Sequence, residues 1–234
     1  MKVPGIIAKC IFIICLPILF LSASLAWGFN SHWIFTYAFQ KYDVSQTTGL
    51  SKAELDKIPA SWTHYINSGD AYWHITVTGE GSSFELFTPE EQIHFKDVKQ
   101  LIWLDYRFLA ASLILVLSYV LTSIFWKRPR YWHQLAVSAI WGSGISLMLI
   151  IVLGIASMLA FDRLFLQLHY LLFTNAYWSA EGYMLLLFPS GLWFDGALIC
   201  VGMMAGLAIL LAIIAAAFLK LNSRKSDTRV RTAF

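Results

Sequence analysis

Two histidines sit where apolar sequence seldom carries an ionisable group. His94 lies in Thr88-Pro89-Glu90-Glu91-Gln92-Ile93-His94-Phe95-Lys96-Asp97-Val98, a charged helix start that runs into an apolar stretch. His169 lies among Leu166, Leu168, Tyr170, Leu171 and Leu172. An ionisable side chain at membrane depth costs about 2.5–3.5 kcal/mol on insertion scales, so it is a functional candidate by default. A pair of neutral imidazoles at a lipid–water boundary can accept and return protons. Each has a blander reading. His94 could be a helix-surface residue at an interface, and His169 a neutral ring bonded to a backbone carbonyl. Glu91 precedes His94 by three residues and Asp97 follows it by three, so either carboxylate could orient the ring; Glu91 could instead close a capping box. Asn175 could donate its amide to a developing oxyanion or cap a turn. His32, His64, His74 and His133 have no comparable setting.

The elements that must position these residues are membrane helices. The chain has 234 residues, 58% hydrophobic and 13% charged; a soluble domain carries roughly 25% charge. Four stretches reach the ~20 apolar residues needed to cross a hydrocarbon core, at about 6–28, 108–126, 134–160 and 196–219. With the N-terminus inside, the inner segments hold ten basic residues and one acid, and the outer segments seven basic residues and thirteen acids. The inner excess of cations sets that orientation. It puts both termini in the cytoplasm and both histidines on the outer side. Lys2, Lys9 and the apolar run up to Ser24-Leu25-Ala26 also read as a signal peptide; the length of the run favours a retained span.

The predicted fold is an all-α membrane protein. It has four transmembrane helices, a small α+β extracytoplasmic module between helices 1 and 2, and an interfacial or re-entrant segment between helices 3 and 4. The predicted boundaries are helix 1 at 1–29, the module at 30–88 and an interfacial helix at 89–107. Helix 2 follows at 108–126, a cytoplasmic loop at 127–133, helix 3 at 134–161, an extracytoplasmic interfacial segment at 162–195, helix 4 at 196–219 and a basic cytoplasmic tail at 220–234. Within the module, Ser51-Lys52-Ala53-Glu54 reads as a capping box opening a short helix that ends near Pro59. Tyr72–Thr78 alternates like a strand, Gly79-Glu80-Gly81 turns, and 83–87 pairs back. Residues 33–39 read as a third strand or as the end of the first span. Thr88 caps the next helix, with Pro89 in its first turn. Glu91, His94, Phe95, Val98, Leu101, Ile102 and Asp105 share one of its sides. Gly202-x-x-x-Gly206 would allow close helix approach.

Several chemistries are excluded by what is missing. Cys10, Cys15 and Cys200 all lie inside predicted spans, so a thiol oxidase with outward-facing cysteine pairs is ruled out. There is no His-Glu-x-x-His zinc motif and no Gly-x-Ser-x-Gly nucleophile elbow. A single Glu91-x-x-His94 pair is too little for a di-metal bundle. Nothing points to nucleic acid, and no metal or organic cofactor is implied. The remaining site has bases but no nucleophile of its own. It suits a substrate that brings its own nucleophile and needs only alignment and proton handling.

Two stretches carry a resemblance. Leu86-Phe87-x-x-x-Glu91-x-x-His94-x-x-Asp97-Val98-Lys99 and His169-x-x-x-Phe173-x-Asn175-x-x-Trp178, followed by Phe188-Pro189, resemble signatures of the bacterial membrane family of lipoprotein intramolecular transacylases, Lit. After Trp178 the chain departs from the family pattern, with Ser179-Ala180-Glu181-Gly182 in a shortened stretch. The resemblance implies a protein of the bacterial cytoplasmic membrane whose partners are diacylglyceryl lipoproteins and membrane lipid. The lipoprotein's N-terminal α-amine would attack the sn-2 ester of its own glyceryl group, giving a lyso-form lipoprotein. His94 and His169 would be the catalytic pair. Glu91, Asp97, Tyr170, Asn175 and Trp178 would support them or position the substrate. Two other functions stay open at this point: a non-catalytic membrane scaffold, and an acyltransferase with a phospholipid donor.

Overall fold

The computed structural model of the chain describes residues 3–79, 81–125 and 129–231. In chain order the elements are α1 (Val3–Phe29), α2 (His32–Lys41), α3 (Val44–Thr48), α4 (Lys52–Leu55), α5 (Ile58–Asn67), β1 (Thr76–Gly79) and β2 (Ser82–Glu85). There follow α6 (Pro89–Phe125), α7 (Pro129–Leu172), a 3-10 turn at Tyr177–Ser179, α8 (Tyr183–Leu187) and α9 (Ser190–Arg231). Among the described residues, α1, α6, α7 and α9 are long and apolar enough to cross a membrane. At 1.5 Å rise per residue α6 is ~55 Å long, well beyond a ~30 Å hydrocarbon core.

The chain divides into two compact units. The first comprises Met1–Ser24, Tyr106–Leu153 and Val201–Phe234. Its core joins Phe12, Leu16, Phe20, Val116, Ala139, Met204 and Ala208. A Cβ on Gly142 would overlap the Leu16 side chain, so α1 and α7 approach closely at this glycine. The expectation for Gly202 and Gly206 fails, because a Cβ at either would meet nothing within 4 Å.

The second unit comprises Leu25–Asp105 and Gly154–Cys200. Its core is aromatic. Trp73, 1% exposed, lies 4.7 Å from Phe87, 4.9 Å from Phe95 and 5.2 Å from Trp62, ring centre to ring centre. Trp62 Nε1–H donates to the Phe29 carbonyl at 3.1 Å and Trp73 Nε1–H to Ser61 Oγ at 2.9 Å, so the polar edges of both indoles are satisfied. α2 is anchored to the start of α9. Lys41 Nζ and the Tyr42 hydroxyl both donate to Asp195 Oδ2, at 2.7 and 2.9 Å. The Asp195 hydrogen bond holds the Lys41 ammonium above the usual lysine range.

Several sequence expectations are corrected. Residues 33–39 are neither a strand nor the end of the first span. They belong to α2, because Ile34, Phe35, Ala38 and Phe39 all face inward at helical spacing. Pro59 does not end the short helix: it sits in the first turn of α5, where its missing N–H costs nothing. Strand pairing covers only Thr76–Gly79 with Ser82–Glu85. Residues 72–75 are held by the burial of Trp73 and by the Leu86 N–H to Ile75 carbonyl bond at 2.9 Å. No break separates 89–107 from 108–126, since α6 runs straight through. α7 continues past residue 162 to Leu172, with a kink at Ala160, so the chain between α7 and α9 that lies outside α8 is limited to residues 173–182, with the 3-10 turn among them, and 188–189. Lys2, Lys127, Arg128 and the turn residue Glu80 lie outside the described residues.

Replacing Trp73 by Ala removes the hub of this core. A loss of about 3–5 kcal/mol is expected for a buried aromatic. Thermal denaturation in detergent micelles should show a clear fall in Tm.

Candidate functional site

The site begins at the N-terminus of α6. Thr88 Oγ1 accepts the Glu91 N–H at 3.3 Å and Glu91 Oε2 accepts the Thr88 N–H at 2.8 Å, so the predicted capping box forms. Glu91 is 0% exposed. Its other oxygen, Oε1, accepts the Met184 N–H at 2.7 Å. A Cβ on Gly182 would overlap this carboxylate. Glu91 therefore ties the start of α6 to the start of α8, and its hydrogen bonds go to backbone N–H groups rather than to His94. The capping reading holds and the ring-orienting one does not.

One turn later His94 is buried, 7% exposed. Its Nδ1 is shielded from solvent and has no hydrogen-bond partner among the described residues. His169 comes from the last turn of α7 and is half-buried. Its Nδ1 lies 2.7 Å from the Phe165 carbonyl. A carbonyl only accepts, so Nδ1 carries the proton, and in the neutral ring Nε2 carries the lone pair. The bland reading of His169 is thus correct in its geometry, and it leaves the acceptor on the other nitrogen. The two imidazole centroids are 6.1 Å apart. Phe173 flanks both, at 4.8 Å from His94 and 5.4 Å from His169.

Both histidines line one cavity of about 350 Å³. Its wall is otherwise dominated by apolar groups, among them Val98, Leu101, Ile102, Phe165, Leu168 and Phe188. Asp105 also lines it, eleven residues beyond His94 on the same side of α6, or ~16 Å along the axis. The 3.6-residue periodicity marked Asp105 as a face-mate of His94, but nothing marked it as a site residue. Phe165, Phe173 and Trp193 also line the cavity and had no chemical signal to single them out.

Of the other predicted site residues, Trp178 lines the cavity with its ring 5.3 Å from His169. Tyr170 stands edge-on to Trp178 at 5.3 Å but is itself 63% exposed. Asp97 and Asn175 are paired with each other: Asn175 Nδ2–H donates to Asp97 Oδ2 at 2.9 Å. Asn175 Oδ1 in turn accepts the Tyr177 N–H at 3.0 Å. Neither residue is among the cavity-lining ones, so the oxyanion role expected for Asn175 gives way to the turn-capping one.

Gly182→Ala forces a methyl group into the Glu91 carboxylate and should cost about 1–3 kcal/mol, the usual penalty for overpacking. Gly196→Ala, inside α9 where a Cβ meets nothing within 4 Å, is the matched control and should leave Tm unchanged or slightly raised in the same denaturation assay, since Ala favours a helix over Gly.

Crystal structures of the membrane-integral lipoprotein intramolecular transacylase Lit from Bacillus cereus superpose on the chain. One is 17% identical with a TM-score of 0.75, covering 94% of this chain and 99% of that one. A variant of the same protein with a single histidine replaced by alanine gives 14% identity and a TM-score of 0.73, covering 93% and 94%. At these identities the likeness establishes a shared fold. No match was found among curated proteins. The protein-family model described as "Lipoprotein intramolecular transacylase Lit" matches residues 10–184, which include both histidines and residues 86–99 and 169–178 of the two signature stretches. This multi-pass membrane protein belongs to the lipoprotein intramolecular transacylase family, Lit.

Proposed function

We propose that the protein moves the sn-2 acyl chain of a diacylglyceryl lipoprotein to the α-amine of that lipoprotein's N-terminal cysteine, leaving a lyso-form lipoprotein. One observation carries this reading: two imidazoles from remote stretches of chain meet on one apolar cavity. The client supplies both the nucleophile and the acyl donor. The enzyme then has to align them, move one proton and stabilise one oxyanion.

His169 is the base. Its Nε2 takes a proton from the amine as the N–C bond to the ester carbonyl forms. It returns that proton to the glyceryl oxygen as the C–O bond breaks. The Phe165 carbonyl bond to Nδ1 supports this assignment by holding the tautomer and the ring plane. His94 donates a ring N–H to the carbonyl oxygen as charge develops there. The apolar wall favours acyl chains and excludes water, which strengthens that hydrogen bond and limits hydrolysis. Trp178 and Phe173 shape the cavity mouth around the two rings. The distribution of Lys and Arg supports cytoplasmic termini, with residues 30–107 and 162–195 on the outer face of a bacterial cytoplasmic membrane.

Mass spectrometry of lipoprotein N-termini from cells with and without the protein tests the reaction. The N-acyl, S-monoacylglyceryl form is expected only in its presence. His94→Ala and His169→Ala should each lower its formation by about a hundredfold or more, with Tm near wild type. Unchanged product in both variants would sink the enzymatic reading. The α-amine has a pKa of about 8 and must be neutral for attack. The rate of acyl transfer in micelles should therefore rise from pH 6 to pH 8, and a flat profile would count against attack by the free amine.

A further inference from the structure

We propose that Asp97 is a positioning residue acting on the far histidine, His169, through Asn175 and the turn that carries Trp178. The inference deepens the transacylase reading and rests on it for its kinetic arm alone.

Three contacts, joined by the turn itself, make the connection. Asp97 Oδ2 accepts from Asn175 Nδ2 at 2.9 Å. Asn175 Oδ1 accepts the Tyr177 N–H at 3.0 Å. Tyr177 opens the 3-10 turn Tyr177–Ser179. Trp178, at the middle of that turn, packs its ring 5.3 Å from the His169 ring. Hydrogen bonds within residues 173–180 are local. They include Phe173 N–H to the His169 carbonyl, Ser179 N–H to the Ala176 carbonyl and Ala180 N–H to the Tyr177 carbonyl. Bonds of that kind shape a turn but do not place it against another element. α6 grips this stretch on either side of the turn, through Asp97 at Asn175 and through Glu91 at Met184. The carboxylate makes the Asn175 bond charge-assisted, roughly twice as strong as a neutral one. The two carboxylates flanking His94 in sequence thus hold the chain segment that packs on His169.

The sense of the Asp97–Asn175 bond can be reversed without losing the pair. N175D alone sets two carboxylates against each other. Adding D97N restores one donor facing one acceptor, and the second carboxylate oxygen at position 175 still accepts the Tyr177 N–H. The experiment uses full-length protein in micelles, labelled with 5-fluorotryptophan, with the Trp178 fluorine resonance identified by its loss in W178F. In N175D that resonance should shift or broaden, and kcat for acyl transfer should fall about tenfold while KM changes little. In D97N/N175D both should return to near wild type, a coupling that a double-mutant cycle quantifies. D97N alone keeps an acceptor oxygen and should lose only about two- to threefold. N175A, which removes the link without adding charge, serves if N175D does not fold, and should move the resonance in the same way. An unmoved Trp178 resonance in N175D or N175A, or a double variant no better than N175D, would overturn the proposal. A wild-type protein that transfers no acyl chain would instead overturn the transacylase reading, and the fluorine comparison would still decide the positioning role.

Discussion

A carboxylate with no exposed surface cannot be left unpaired, and Glu91 is such a group. Its two oxygens accept the backbone N–H of Thr88, at the start of its own helix, and of Met184, at the start of α8. The pairing dictates where residues 182–188 lie against α6. Met184, Leu185 and Phe188 consequently become cavity wall. Gly182 is required beside the carboxylate because any side chain there would occupy its space. His94 follows one turn later on the same helix, so the position of the first imidazole is set by the same fixed point.

The second imidazole is placed by different means. It sits at the end of α7, with its ring edge on α7's own Phe165 carbonyl and its face against aromatic side chains. The aromatic core built on Trp62, Trp73, Phe95 and Phe188 backs the cavity that both rings share. An apolar cavity with only a few polar groups suits a reaction in which the substrate brings its own nucleophile. On the proposed reading such a cavity would exclude water, strengthen each hydrogen bond to a developing charge and require neither serine nor cysteine at the centre.

Much of the site was readable locally. The Thr88–Glu91 capping box, the helix it starts and the shared side of His94 and Asp105 all follow from three- and four-residue spacing. The module between the first two long helices was less legible. Residues 33–39 and Pro59 were misread because short aromatic-rich stretches fit both strand and helix periods, and because Pro both ends and begins helices. The strand read across residues 72–78 forms only in its second half, since burial of Trp73 and the single Leu86 N–H to Ile75 carbonyl bond hold the first half.

The sequence alone determined the four long apolar helices, the capped entry into α6 and the two histidines that stand out from apolar surroundings. Those features depend on composition and on neighbours within one or two helical turns. Only the tertiary structure decided what each polar group does. Glu91 and Asp97, equally spaced about His94, hydrogen-bond to partners 93 and 78 residues distant rather than to the ring between them. Asn175, which by type could have faced an oxyanion, is taken up by Asp97 and the Tyr177 N–H. A buried hydrogen-bonding group takes whichever partner packing brings within about 3 Å, and that choice depends on chain segments that no local spacing rule connects.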